Sequence, residues 1–290
     1  MRILLTGKDG QLGFELRRAL APLGEVVAVG RADCDLADAD ALRALVRRVA
    51  PDVIVNPAAY TAVDQAESAP AAASAVNARA PGVLGEEGAR LGALVVHYST
   101  DYVFDGAARH PYIEEDLPHP LGAYAVSKLA GEMYAQAYLN RALVVRTSGV
   151  FGPGGMATAR GNFVELMLRL AASPNPIRVV EDHVASPTYA PLLAARTIDL
   201  VERGLSGVFH VGGGAPISWF EWARMIFRRA GANPRLQAVT ERSYRTPARR
   251  PKYSALSNSK MEACGLEPMP ALDWALDRYF QQRLAGSVPA

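Results

Sequence analysis

Tyr124 and Lys128, a phenol and an ammonium four residues apart in Tyr124-Ala125-Val126-Ser127-Lys128, are the pair in this chain best suited to chemistry. That spacing brings two side chains together on one face of a helix. Only four of the 290 residues are lysine, against 11 tyrosines, so such a pair seldom arises by coincidence. Reducing a ketone by hydride transfer creates an alkoxide that must be protonated, and a free tyrosine near pKa 10 matches neutral pH poorly. A neighbouring ammonium and an oxidised nicotinamide both stabilise the phenolate, so the Tyr124 pKa is expected to fall. Ser99-Thr100-Asp101 closes a short apolar run. There the Thr100 hydroxyl can hold a carbonyl oxygen and support its developing charge. Thr100, Tyr124 and Lys128 are therefore the candidate catalytic residues, and Lys128 is also expected to donate to the nicotinamide ribose. The bland alternative is a solvated helix face.

Phosphate binding is the second chemistry the spacing supports. Thr6-Gly7-Lys8-Asp9-Gly10-Gln11-Leu12-Gly13 is a GxxGxxG loop between an apolar run and an amphipathic stretch. In that setting Gly7 permits the tight turn, Gly10 lets the backbone approach a pyrophosphate, and Gly13 lets the helix pack on the strand. The phosphates would sit at the helix N-terminus. The end of the next strand discriminates the two nicotinamide dinucleotides, through an acid on the ribose hydroxyls or a cation on the 2′-phosphate. Gly30-Arg31 stands there and favours NADPH, while Asp33 and Asp35 keep NADH open. For Arg31 the competing reading is a solvated loop arginine.

A parallel sheet is what would bring these residues together. Strands at 2–5, 26–29, 53–55, 93–99 and 143–146 alternate with helices at 11–21, 38–49, 69–91 and 124–138, which is the βα rhythm. Ligands bind at the carboxyl ends of such strands, where Gly7 and Thr100 fall. Beyond about residue 147 come Gly/Pro connections such as Gly152-Pro153-Gly154-Gly155, helices at 162–172, 189–204 and 218–231, and a strand at 207–211. Ser218-Trp219-Phe220-Glu221 reads as a capping box. The expected fold is α/β, a Rossmann-type doubly wound parallel sheet with a smaller C-terminal α+β substrate domain. The cofactor domain is expected over 1–147 with a return segment at about 186–212, and the substrate domain over 148–185 and 213–290.

Composition narrows the partners. Thirty-one Lys+Arg against 29 Asp+Glu leave a net charge of +2, too little to create a broad field for nucleic acid or an anionic membrane. The N-terminus turns polar after three apolar residues, and no later stretch reaches the roughly 18 apolar residues of a membrane helix. Cys34 and Cys264 lie far apart, without CxxC spacing, which suits a reducing cytoplasm. Small anionic molecules are the expected partners, held locally.

Several strings together carry a family resemblance. Gly7-Lys8-Asp9-Gly10-Gln11-Leu12-Gly13, Pro51-Asp52-Val53-Ile54-Val55-Asn56, Ala59-Tyr60-Thr61-Ala62-Val63-Asp64, the run from Val96-His97-Tyr98-Ser99-Thr100 to Asp105-Gly106, and Tyr124 with Lys128 closely resemble the dTDP-4-dehydrorhamnose reductase family of extended short-chain dehydrogenases/reductases. Arg146-Thr147-Ser148, Asn162-Phe163, Ser186-Pro187-Thr188 and Arg250-Pro251 extend the likeness over essentially the whole chain. The resemblance implies reduction of the C4 ketone of a nucleotide-linked sugar with NADPH or NADH, and Thr100, Tyr124 and Lys128 as a catalytic triad. It implies Asp101 and Tyr102 beside the sugar, and Gly10, Gln11, Leu12, Asp35, Leu36, Ala59, Tyr60 and Thr61 along the dinucleotide. Asn56 is expected nearby. Two positions depart from the family pattern: Gly149 stands where a tryptophan commonly meets the sugar, and Pro191 where an acid of a metal-linked dimer is expected, although Glu15 is present. No metal is therefore expected, and a homodimer stays open. The alternatives are a reductase of a related nucleotide 4-keto-6-deoxyhexose, which Gly149 supports, and a non-catalytic dinucleotide-binding regulatory subunit on the same fold.

Residues 242–253 mix five cations with two aromatics. They read either as a clamp for a nucleotide diphosphate or as a solvated loop, with Arg250 the candidate substrate ligand. Trp219, Phe220 and Trp222 read as core packing, and His97 as a satisfied structural histidine.

Overall fold

In the computed structural model, residues 1–138, 141–158 and 161–285 are described. The first half runs β1 (Arg2–Leu5), α1 (Gln11–Leu20), β2 (Glu25–Ala28), α2 (Ala39–Val49), β3 (Val53–Asn56), α3 (Val63–Ser68), α4 (Pro70–Ser74), α5 (Ala80–Leu91), β4 (Leu94–Thr100), α6 (Ala123–Ala137) and β5 (Ala142–Thr147). The second half adds α7 (Phe163–Ala171), β6 (Ile177–Val180), β7 (Val184–Ala185), α8 (Ala190–Glu202), β8 (Gly207–His210), β9 (Ile217–Ser218), α9 (Trp219–Ala230), β10 (Leu236–Val239), α10 (Ser259–Ala263) and α11 (Leu272–Leu284). Six strands form one parallel sheet in the order β2-β1-β3-β4-β5-β8.

Every residue of β3, β4 and β5 is buried, because helices cover both faces of the sheet. On one face Leu12, Leu16 and Leu20 of α1 pack with Leu193 and Leu200 of α8. On the other, Leu42 and Val46 of α2 meet Leu84 of α5. Truncating such a fully buried leucine to alanine costs about 2–5 kcal/mol. A separate core in the second half gathers Phe151, Trp222, Ile226, Leu276 and Tyr279. There β6 pairs in parallel with β10, and β7 antiparallel with β9.

The expected helix over 69–91 is present and uninterrupted from Pro70 to Leu91, as α4, a π-helical turn at Ala75–Arg79 and α5; what was not expected is the π turn and the short α3 ahead of it. Ala69, just before Pro70, lies outside the helical region at φ −134° and ψ 54°, consistent with the clash of the proline ring that disfavours a helical residue there. The π turn aims Asn77 at the chain after β3: its amide accepts from the Tyr60 N–H at 2.8 Å and donates to the Tyr60 carbonyl at 3.0 Å and to the Ser127 hydroxyl at 3.0 Å. The capping residue Ser218 accepts from the Glu221 N–H at 3.1 Å.

Candidate active site

The six sheet strands all point the same way, so the chain leaves each of them at one edge. Thr6-Gly7 follow β1, Val29–Arg31 follow β2, and Pro57–Thr61 follow β3; Thr100 and Asp101 close β4, and Ser148-Gly149 follow β5. β1 lies between β2 and β3, so the strand order reverses there and opens a crevice at that edge.

The glycine loop occupies this crevice. Gly7 has φ +62°, and a Cβ there would lie 2.9 Å from the Ala58 Cβ. A Cβ at Gly13 would run into the Gly7 carbonyl, whereas one at Gly10 would meet only the Gly7 oxygen, at 3.2 Å. Gly7 and Gly13 are thus required by the protein itself, whereas a Cβ at Gly10 would need that oxygen to give by only a few tenths of an ångström. Gly10 caps α1 without any side-chain acceptor, so the first-turn amides are left for an anion, and the loop fits a dinucleotide pyrophosphate. Leu12 is buried in the core on the α1 face of the sheet and Leu36 in the core on the α2 face. The Gln11 side chain instead bridges to the far half, donating to the Val150 carbonyl at 2.7 Å and accepting from Asn162 at 3.1 Å. Lys8 pairs with Asp33 at 2.7 Å. Arg31 is 88% exposed, and its ion pair with Asp35 is 3.3 Å long. Such an exposed pair is worth at most about 1 kcal/mol, too little to hold the guanidinium away from a phosphate. Ala59, Tyr60 and Thr61 lie in the loop after β3 that Asn77 clamps.

Beside the crevice, α6 carries Tyr124 and Lys128. Lys128 is 3% exposed. Its ammonium donates to the Tyr98 carbonyl at 2.6 Å and lies 3.4 Å from His97 Nε2. Burial brings its pKa down from 10.5 to about 8, opposed by the charge of Glu132. His97, whose pKa burial holds well below 6.5, meets Asn56 through Nδ1 at 3.2 Å, and Asn56 accepts from the Thr6 hydroxyl at 2.6 Å. A buried polar chain therefore links the start of the glycine loop to Lys128. The expected structural histidine is satisfied, and Asn56 stands where sheet geometry put it.

The Tyr124 phenol faces Thr100. Burial pushes its pKa up to about 12, with Asp101 adding to the rise and Thr100 opposing it. Burial is the largest influence on the phenol here, and Lys128 is turned to the Tyr98 carbonyl; the expected fall calls also on the charge of an oxidised nicotinamide. The phenol is thus fully protonated at neutral pH, as a proton donor must be. Thr100 donates to Asp101 Oδ1 at 3.1 Å. The other Asp101 oxygen accepts from Ser148 at 2.8 Å and Ser254 at 2.5 Å, and burial raises this carboxyl to about 6. Asp101 thereby ties the ends of β4 and β5 to the C-terminal loop. Tyr102 meets Tyr124 edge to face, with centroids 6.1 Å apart, and lies beside Arg250.

Arg250 lies at the site, but its guanidinium is engaged by Asp64 at 2.8 and 3.1 Å, by the Thr246 hydroxyl at 2.5 Å and by the Ala248 carbonyl at 3.2 Å. Gly149 has φ +48°, and a Cβ there would lie 3.3 Å from both Pro187 Cα and the Trp219 ring. Trp222 is in the core as expected, whereas Trp219 is only partly buried, between Phe163 and Gly149. Sequence reasoning missed Asn77, Glu67, Ser254 and the pairing of Asp64 with Arg250. Asn77 shares its Ala-rich run with Ser74 and Arg79, so nothing local set it apart. Among the described residues, no three His, Cys, Asp or Glu side chains gather as metal ligands, and no helix is long and apolar enough to cross a membrane.

A parallel sheet with a phosphate-binding loop at its switch point, and a Thr, Tyr and Lys at its carboxyl edge, defines a Rossmann-fold oxidoreductase of the extended short-chain dehydrogenase/reductase type. The chain belongs to the RmlD substrate binding domain family, whose model matches residues 1–284. It is 42% identical to the dTDP-4-dehydrorhamnose reductase of Burkholderia thailandensis, over 94% of this chain and 95% of that one. The fold is similar to the crystal structure of a dTDP-4-dehydrorhamnose reductase from Clostridium acetobutylicum, with TM-score 0.93 and 33% identity over 98% of this chain and 100% of that one. It is also similar to the Bacillus anthracis dTDP-4-dehydrorhamnose reductase solved in complex with NADP, with TM-score 0.91 and 33% identity over 97% and 99% of the two chains.

Proposed function

We propose that this protein reduces the C4 ketone of dTDP-4-dehydro-L-rhamnose to give dTDP-L-rhamnose, using NADPH. The observation that carries the reading is Tyr124 facing Thr100 beside buried Lys128, at the sheet edge that also bears the glycine loop. Gly7, Gly10, Gln11, Leu12, Gly13, Asp35, Leu36, Ala59, Tyr60 and Thr61 hold the dinucleotide, and Arg31 takes its 2′-phosphate. When bound, NADPH supplies the hydride. Thr100 and Tyr124 then orient the carbonyl oxygen by hydrogen bonds, and Tyr124 gives it the proton. Lys128 donates to the ribose and, in its charged form, stabilises the resulting phenolate. Asp101, Tyr102, Gly149 and Arg250 border the nucleotide sugar, with Arg250 exchanging donors between Asp64 and the diphosphate.

In this reading the cofactor domain comprises 1–147 and the return segment at about 186–212, and the remainder is the substrate domain. Support comes from β8 joining the main sheet and from the separate core around Trp222. The protein acts in the cytoplasm, and the exposed Val126, Met133 and Tyr134 of α6 favour a homodimer. A second reading, reduction of a related nucleotide 4-keto-6-deoxyhexose, draws on Gly149, where the Trp219 ring lines the backbone instead of a side chain at 149. Incubating pure protein with NADPH and each candidate sugar decides between them by loss of nicotinamide absorbance. Tyr124→Phe is expected to slow that loss by about 10²–10⁴-fold. Turnover only with a different nucleotide ketosugar establishes the second reading, and full activity of Tyr124→Phe refutes both.

A further inference from the structure

The helix that presents Tyr124 as its second residue begins without a cap of its own, because Gly122 at the N-cap has no side chain to accept from the first-turn amides. The acceptor comes from α3: Glu67 Oε1 accepts from the Ala123 N–H at 2.8 Å. The approach is so close that a Cβ at Gly122 would lie 2.6 Å from that same oxygen. A carboxylate there also suits the positive end of the helix. Three residues earlier on α3, Asp64 takes Arg250 at 2.8 and 3.1 Å and the Ala248 N–H at 3.1 Å. Arg250 lies beside the Tyr102 phenol, and Tyr102 meets Tyr124 edge to face. The contacts thus close a ring from Glu67 through Tyr124, Tyr102 and Arg250 back to Asp64 on the same short helix.

We propose that α3 is a brace that fixes Tyr124 over Thr100, with Glu67 as its positioning residue and the Asp64–Arg250 pair closing the ring. The proposal rests on Tyr124 being the proton donor. A first helical turn without an acceptor frays, and a phenol anchored there would lose its placement relative to the reacting oxygen, on which the rate depends steeply. The ring also gives the loop at 244–253 a rigid path to the catalytic helix, so a substrate held by that loop bears on Tyr124 itself.

Three variants test this, by steady-state turnover and by NADPH affinity from fluorescence. Glu67→Ala should lower kcat by about five- to tenfold while leaving NADPH affinity within about twofold. Glu67→Gln, whose amide oxygen still accepts, should keep most of the activity. Adding Gly122→Asp to Glu67→Ala restores a cap from within α6. Gly122 is extended at φ −154°, and removing Glu67 removes the close contact, so the double variant should recover kcat. It also carries the test if Glu67→Ala alone does not fold. Glu67→Ala within about twofold of the parent overturns the brace, as does a loss that neither Gln nor the new cap restores. A parent with no turnover overturns the functional reading, and the brace with it.

Discussion

Replacing Lys128 by methionine should make the protein more stable near neutral pH while removing its activity. Lys128 is 3% exposed, and burial takes its pKa from 10.5 to about 8. A fall of about 2.5, at about 1.4 kcal/mol for each pKa unit, is roughly 3 kcal/mol of differential stability. Folding binds fewer protons than the unfolded chain between those two values. Stability therefore rises with pH across that window, and the penalty is greatest below about pH 8, where the ammonium is charged in both states. Methionine removes the penalty but leaves the Tyr98 carbonyl without the donor now 2.6 Å away, a loss of about 1–3 kcal/mol. The net gain near pH 7 is then roughly 0–2 kcal/mol, and the variant's position relative to the parent should fall by roughly 3 kcal/mol between about pH 7 and about pH 10.5. Urea unfolding of both proteins at the two pH values measures this difference of differences, in which the lost hydrogen bond cancels. A parent-to-variant difference that stays constant across the window would refute the buried, depressed lysine.

Gly10→Ala should fold normally, since its Cβ meets only the Gly7 oxygen at 3.2 Å, yet weaken NADPH by more than about tenfold if the backbone there faces a pyrophosphate. Unchanged affinity by fluorescence titration would move the cofactor elsewhere. Asp101, raised to about 6, should impose a fall in kcat/KM as pH drops through that value, because a protonated carboxyl no longer accepts from Thr100, Ser148 and Ser254 together. Ser254→Ala removes a donor that lowers this pKa, so the acid limb should move to higher pH; a limb that stays in place assigns it to another group.

Much of the catalytic edge was legible because its signals are local. Runs such as Val53–Asn56, buried on both faces, read as parallel strands without knowledge of their partners. A GxxGxxG spacing and a Tyr/Lys pair each specify their own turn or helix face. What escaped depends on residues far apart in sequence: Asp64 and Arg250 are 186 residues apart, and Ser254 reaches Asp101 across 153. The helix over 70–91 was legible, but its π turn was not, because the alanines around Asn77 suit any helix and the Asn77 bonds to Tyr60 and Ser127 are tertiary. The two-residue strands β7 and β9 are too short to show a period. For Tyr124 charge proximity was weighed without burial, which is the largest influence on the phenol in the protein alone.

The central claim, that Tyr124 and its neighbours complete a hydride reduction at C4 of a nucleotide-linked sugar, is tested most directly by isotope transfer. The protein should be incubated with dTDP-4-dehydro-L-rhamnose and NADPH carrying deuterium at the nicotinamide C4. The account predicts dTDP-L-rhamnose with deuterium at the sugar C4, formed in step with NADP+ released to solution. Product without deuterium at that carbon, or no reduced sugar at all, would contradict it.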